Sequence, residues 1–195
     1  MAHSQTQFNR FRGFLFISLI VVFLLLPSMA LAQNIQWARQ YGTGRVDAGN
    51  SISTMEGNVY VVGDTIGVLP GQTNTNLNDR DAFVTRFDTL GNQTWTRQFG
   101  SITSAEDVAT GAAADGAGVY VVGWTRGTLP QQSRVDGTDA FIRKYDTAGA
   151  EVWTRQFGTV ADDEALAVVS HTSGVYVVGV VNCCAASLTP PPFRR

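Results

Sequence analysis

Histidine and cysteine are scarce in this sequence of 195 residues, and their scarcity limits the chemistry available to it. The two histidines are His3 and His171, and the two cysteines are neighbours, Cys183 and Cys184. No second Cys/His pair completes a metal-ligand set, and adjacent cysteines bond each other poorly. We therefore expect the cysteines to form intermolecular disulfides or to belong to an unrelated tail. With no Ser or Cys arrangement around His171, we predict no catalytic residue and no cofactor.

Charge is also sparse. Only 15% of the residues are charged, the net charge is -2, and no long basic run occurs. A nucleic-acid-binding protein needs a basic patch to meet the phosphate backbone, so nucleic acid is not an expected partner. The hydrophobic fraction of 44% is typical of a folded chain with an apolar core.

One long apolar run is present, at the N-terminus. Arg10 and Arg12 precede the nearly unbroken apolar run 14–26, and Ala30-Leu31-Ala32 supplies small residues for cleavage. This pattern predicts a signal peptide over 1–32 and a secreted or cell-surface protein. An uncleaved signal anchor is the alternative, since the run approaches the length that spans a bilayer; a buried core helix fits the flanking residues less well. Membrane contact is expected only through this segment, if it is uncleaved.

The rest of the chain is an internal repeat. Three blocks recur, with each Trp 58 residues after the last. They are VYVVG at 59–63, 119–123 and 175–179; DAF at 81–83 and 139–141; and W(A/T)RQ(Y/F)G at 37–42, 95–100 and 153–158. A fixed period of this length is typical of repeat architectures.

Each repeat reads as four short strands. The segments 47–58 and 107–118 carry few large side chains, which favours an inner strand where repeats converge on an axis. The VYVVG blocks are apolar on both faces and predict central strands, and 82–87 and 140–145 predict third strands. The Trp blocks alternate with a period of two and predict fourth strands, including a leading strand over 35–41.

Four strands per repeat without any helical pattern predict an all-β fold, a β-propeller-like array of four-stranded antiparallel blades. A sandwich does not require a near-identical repeat, and a β-helix has shorter coils. The motifs VYVVG(D/W)T(I/R)G(V/T)LP, DAF(V/I)(T/R)(R/K)(F/Y)DT and WTRQFG resemble the SBBP family of β-propeller repeats over about 37–179. The resemblance implies a blade scaffold in exported or surface proteins, mostly bacterial.

The residues that recur are interpreted as structural. The aspartates could form a calcium ring, but calcium sites gather several oxygen ligands in one short loop, which favours capping of loop amides or pairing with Arg39, Arg97 or Arg155. The tryptophans are interpreted as packing residues between blades. The predicted structural repeat positions are Trp37, Trp95, Trp153, Asp47, Asp107, Asp163, Asp81, Asp139, Gly63, Gly123 and Gly179.

The repeat pattern is incomplete. Only two units are complete, the predicted repeat region spans 33–179, and 180–195 is predicted to be an irregular tail with Cys and Pro. A closed propeller needs about four to eight blades. We therefore expect an open array with exposed edges, either a piece of a longer repeat protein or a chain that associates with copies of itself.

Two classes of function remain open. One is a non-catalytic exported scaffold that binds a protein or polysaccharide partner through loops at one end. The other is a fragment of a propeller-fold extracellular hydrolase or lyase, since a fold does not determine a function. An enzyme should show acids, histidines or metal ligands that break the repeat and cluster in one set of loops, and the departures here are mostly small or apolar. The scaffold is therefore the preferred interpretation.

Overall fold

The structure is a computed structural model that describes residues 35–73 and 79–182. The predicted signal peptide over 1–32, Cys183, Cys184 and the tail beyond Asn182 lie outside the described residues. Within those residues, no helix has the length and apolar character needed to cross a membrane.

The described residues form an all-β structure of ten strands in three antiparallel sheets. Sheet A contains β1–β4, sheet B contains β5–β8, and sheet C contains β9 and β10, each in chain order. The strands are β1 Asp47–Met55, β2 Asn58–Thr65, β3 Asp81–Phe87, β4 Gln93–Phe99, β5 Asp107–Asp115, β6 Gly118–Thr125, β7 Asp139–Tyr145, β8 Glu151–Phe157, β9 Asp163–His171 and β10 Gly174–Val181. The predicted inner, central, third and fourth strands of the two complete repeats are thus confirmed as strands.

The sheets stack in the order A, B, C, and these three described sheets form no closed ring. β5 packs against β1, β2 and β3 of sheet A, and β9 packs against β5, β6 and β7 of sheet B. Side chains from facing sheets fill two apolar cores, one at each junction. A side chain on β1 and one on β5 also reach the next inner strand: Asn50 Nδ2 donates to Ala109 O at 2.9 Å, and Thr110 Oγ1 to Ala165 O at 2.5 Å.

The recurring glycines at the centre of each sheet allow a bulge in the inner strand. The β1 register shifts between Gly49 and Ser51, which turns the Ala48 carbonyl toward Gly63. A Cβ at Gly63 would lie 1.8 Å from that oxygen, and one at Gly123 would lie 1.9 Å from Val108 O. Gly179 repeats the relation with Glu164 O at 1.9 Å. Any side chain here would displace the backbone of the inner strand, because the nearest atom is a backbone carbonyl oxygen and not the end of a flexible side chain.

The predicted leading strand over 35–41 is wrong: these residues adopt no regular secondary structure. They nevertheless lie against sheet A in the way that β4 lies against sheet B. Trp37 contacts Phe87, with ring centroids 5.8 Å apart, as Trp95 contacts Tyr145 at 6.1 Å. A fourth strand is defined by its ladder to a third strand, and the described residues offer none beside this segment. The aromatic packing survives without the ladder.

The third VYVVG block also departs from its prediction. The central-strand prediction holds for β2 and β6, which are hydrogen-bonded on both sides, but it is wrong for β10, which pairs only with β9 in the described structure. Most of β10 is exposed to solvent. The strand continues to Val181, so the prediction of an irregular tail from residue 180 is wrong for Val180 and Val181.

Candidate functional site

The recurring aspartates gather at one end of the sheets, here called the Asp end. Asp47, Asp107 and Asp163 begin the inner strands, and Asp81 and Asp139 begin the third strands. Because neighbouring strands are antiparallel, these starts meet the ends of β2 and β6: Thr65 pairs with both Asp47 and Asp81, and Thr125 with both Asp107 and Asp139. The long connections lie at this end, whereas the short hairpin turns lie at the other.

The inner-strand aspartates hold the connections between sheets. The residue that follows each WxRQ(Y/F)G block donates its backbone N–H to the carboxylate: Thr43 to Asp47 at 2.6 Å and Ser101 to Asp107 at 2.7 Å. Asp163 accepts from Thr159 in the same way. Each carboxylate therefore ties the incoming chain to the start of its own inner strand.

The third-strand aspartates act through glutamines that the sequence analysis did not single out. Gln98 Nε2 donates to Asp81 at 2.8 Å and to Gly67 O, while its Oε1 accepts from Leu69 N at 2.9 Å. Gln156 repeats this arrangement with Asp139, Gly127 O and Leu129 N. The signal was available, because the Gln recurs in every WxRQ(Y/F)G block. In both repeats the Gln side chain links the third-strand Asp to the backbone of the Leu-Pro loop and so holds that loop in place at the Asp end.

Burial is the largest influence on the pKa of three of these carboxyls, Asp81, Asp107 and Asp139. Burial raises the pKa of Asp107 to about 6, although hydrogen bonds from Thr125 and Ser101 lower it. The pKa of Asp81 is raised by burial and by the charge of Asp79, and the pKa of Asp139 is also raised by burial. Gly100 lies where a Cβ would be 2.4 Å from Asp81 Oδ1 and 2.8 Å from Asp107 Oδ2, so two carboxyls approach over a glycine. Such a pair resists full ionisation, because each charge disfavours the other.

The tryptophans and arginines form the contact between one repeat and the next. Trp95 is half-buried between Tyr60 and Tyr145, and its indole N–H donates to Thr147 O at 3.1 Å. Arg97 Nε donates to Gly149 O at 2.7 Å, as Arg39 Nε does to Gly91 O at 3.0 Å. Arg39 and Arg97 thus bond to turn carbonyls, and not to the aspartates as one of the two predicted alternatives had it. Arg155 Nη1 donates to the Thr154 carbonyl. The ring centroids of Trp153 and Tyr120 are 6.1 Å apart.

The histidine and the acids of the described residues were the candidates for a metal site. His171 is exposed at the end of β9, next to the β9–β10 turn, where its Nδ1 lies 2.8 Å from the Ser173 hydroxyl. In the described part of the chain, no three His, Cys, Asp or Glu side chains cluster in a way that could hold a metal ion.

The connections at the Asp end expose aliphatic side chains. One large aliphatic residue in each connection faces solvent, whereas the Asp and Gln side chains that bond to the loop backbone lie beneath it. These residues are Val46, Val68, Ile102, Val135 and Val160. The loops that carry them are held by the carboxylate and glutamine bonds described above, so this end presents apolar side chains on fixed loops.

A second feature is a cavity of about 260 Å³ on sheet A. It lies between residues 37–42 and the face of sheet A that no other sheet covers in the described structure. Its apolar lining includes Val61, Leu69, Phe83 and Ile52.

Comparison with known proteins yields one informative similarity. No family model matches the chain. The chain is 30% identical over 141 residues to a protein described as "Regulatory protein FlaEY" from Caulobacter vibrioides, a match that covers 66% of this chain and 15% of that protein. The chain therefore corresponds to a small part of this relative's length.

Proposed function

We propose that this chain is a non-catalytic, exported β-propeller-type repeat scaffold, similar to SBBP repeats, that binds a protein or polysaccharide partner at the cell surface through its Asp end. The observation that carries the proposal is the set of exposed aliphatic side chains on every connection at that end. Apolar groups on pre-ordered loops bind without the entropy cost of ordering the loops first.

The use of the recurring polar groups supports a scaffold. Asp47, Asp107 and Asp163 accept bonds from loop amides, and the glutamines beside Asp81 and Asp139 bond to loop backbone. These groups are therefore engaged in holding loops, which is a structural task. The relative's description as a regulatory protein also supports a role exerted by binding.

The blade arrangement in the proposal rests on the repeated junction between sheets. Sheet A packs on sheet B as sheet B packs on sheet C, with equivalent residues in both cores. A constant relation between successive four-stranded sheets is the geometry from which propellers are built.

The binding test compares the two ends of the sheets. Ile102→Asp and Val160→Asp place a charge on exposed residues of the Asp end, and Leu90→Asp does so on an equally exposed residue of a hairpin turn at the opposite end. Labelled protein is titrated onto washed cells of the producing strain and onto envelope polysaccharide purified from them. We expect the two Asp-end variants to bind at least tenfold more weakly than wild type and the Leu90 variant to bind normally.

Equal binding by all variants, or an equal loss in the Leu90 variant, would refute the Asp end as the binding surface. Turnover in a panel of glycoside, ester and peptide substrates with added divalent metal would favour the hydrolase or lyase alternative. Export is tested separately by N-terminal sequencing of protein recovered outside the cytoplasm, which should begin at Gln33.

A further inference from the structure

Each sheet has two different faces, and the chain shows which face packs on which. The leading face carries the first and third residues of VYVVG, such as Val119 and Val121 in sheet B. The trailing face carries the second and fourth, such as Tyr60 and Val62 in sheet A. These four residues belong to one buried core, so the trailing face of A packs on the leading face of B. The B–C junction repeats this, with Tyr120 and Val122 packed in the core that includes Val175.

The trailing face of sheet C is apolar and uncovered in the described structure. Tyr176 and Val178, the equivalents of Tyr60 and Val62, are 57% and 65% exposed. At the bulge, sheets A and B carry Asn50 and Thr110, which bond to the next inner strand; sheet C carries Leu166, which is 44% exposed. A leucine makes no such hydrogen bond, and it adds apolar area to the face.

The leading face of sheet A is the complementary surface. Five of its apolar residues line the 260 Å³ cavity, and each has an equivalent in sheet B that is buried at the A–B junction. The five are Val59, Val61, Leu69, Phe83 and Phe87, and their equivalents are Val119, Val121, Leu129, Phe141 and Tyr145. Within the described residues the segment 37–42 lies over this face, and Leu69, Phe83 and Phe87 are already buried. The part that is open to a partner is formed by Ile52, Val59 and Val61.

We propose that the trailing face of sheet C in one copy of this chain docks on the leading face of sheet A in a second copy. The second copy would continue the series A, B, C with the same face-to-face packing that the chain already uses twice. The two surfaces differ, so the contact is heterologous and leaves one free face at each end, which leads to a ring or an open chain of copies. It does not involve the Asp end and is independent of the binding role proposed there.

The test uses substitutions at exposed positions, which leave the cores of the free chain unchanged. Tyr176→Asp/Val178→Asp blocks the trailing face, and Ile52→Asp blocks the leading face, where Ile52 is 63% exposed. Val152→Asp is the matched control, an exposed valine on the outer strand β8. The full chain is purified from an exporting host with its N-terminus determined, and far-UV circular dichroism verifies each variant's strand content.

Sedimentation velocity over a concentration series then measures mass. We expect wild type and Val152→Asp to form dimers or larger assemblies, and each face variant alone to associate at least tenfold more weakly. A mixture of the two face variants should form a 1:1 dimer and nothing larger, since each retains the face that the other has lost. A wild-type chain that stays monomeric, face variants that associate like wild type, or a mixture that stays monomeric would each overturn the proposal.

Discussion

Asp107 should make the stability of this protein fall as the pH rises from 4 to 7. The carboxyl is fully buried, and burial raises its pKa from 3.8 to about 6. In this range the folded state holds a proton that the unfolded state has released. The stabilisation is therefore complete below the unfolded pKa and is lost as the pH rises through the folded pKa.

The size of the effect follows from the shift. About two pKa units at ~1.4 kcal/mol per unit amount to about 3 kcal/mol, most of which, about 2.5 kcal/mol, falls between pH 4 and 7. Asp107→Asn removes the titration and keeps an oxygen that can accept the Ser101 N–H. The difference in unfolding free energy between wild type and variant should thus change by about 2.5 kcal/mol over this range, in favour of the variant at higher pH.

Urea unfolding followed by tryptophan fluorescence at pH 4 to 8 measures this difference. Both proteins carry Asp139, so its contribution cancels in the comparison. The measured difference includes the coupling of Asp107 to Asp81, because the two carboxyls lie close together. Asp88→Asn is a control of opposite sign: its carboxyl accepts bonds from Asn92, which lower its pKa, so its stabilisation is lost as the pH falls. If the difference in unfolding free energy between wild type and Asp107→Asn does not change with pH, the conclusion that burial raises the pKa of Asp107 is refuted.

Three further comparisons test side-chain packing and backbone conformation. Trp95→Ala should cost about 3 kcal/mol in urea unfolding, since the ring packs between sheets A and B; wild-type stability in this variant would contradict that role. Gly91→Ala should destabilise more than Gly71→Ala, because both have φ +76° but only the first Cβ would meet Trp37, at 2.6 Å; equal losses would argue against that contact. Gln131→Gly should raise stability by about 0.5–1 kcal/mol, because Gln131 has φ 61°, and a loss would indicate that its side chain stabilises the turn.

The strands of the complete repeats could be predicted from the sequence because several local signals agreed. The segment 81–87 is rich in apolar residues, and nearly all of it is buried. It is followed by Asp88-Thr89-Leu90-Gly91, whose Gly91 N–H bonds to Asp88 O at 3.0 Å, as in a type I turn. The segment 107–118, with its small side chains, contains the predicted strand, which runs over Asp107–Asp115. These features depend on residues close in sequence.

The failures concern residues whose state depends on a partner. The segment 35–41 has the alternation of a strand, but a strand also needs a ladder, and pattern alone does not supply one. β10 has the composition of a central strand, but it pairs only with β9 in the described structure and is mostly exposed. Composition alone does not show whether a strand has a second partner. The structural role of Gln98 and Gln156 was not predicted, because glutamine is usually a surface residue. The recurrence of Gln at this position in every WxRQ(Y/F)G block was the signal that could have shown it.

The stacking of sheet B between sheets A and C has a consequence for how the molecule opens. In an array whose units contact only their neighbours, stability is approximately a sum of unit and junction contributions. Sheet B is stabilised by two junctions, whereas sheet C is stabilised by one and has two strands in the described structure. Amide hydrogen exchange should accordingly be slowest in β6 and fastest in β10, so that the chain unravels from sheet C inward instead of opening at its centre.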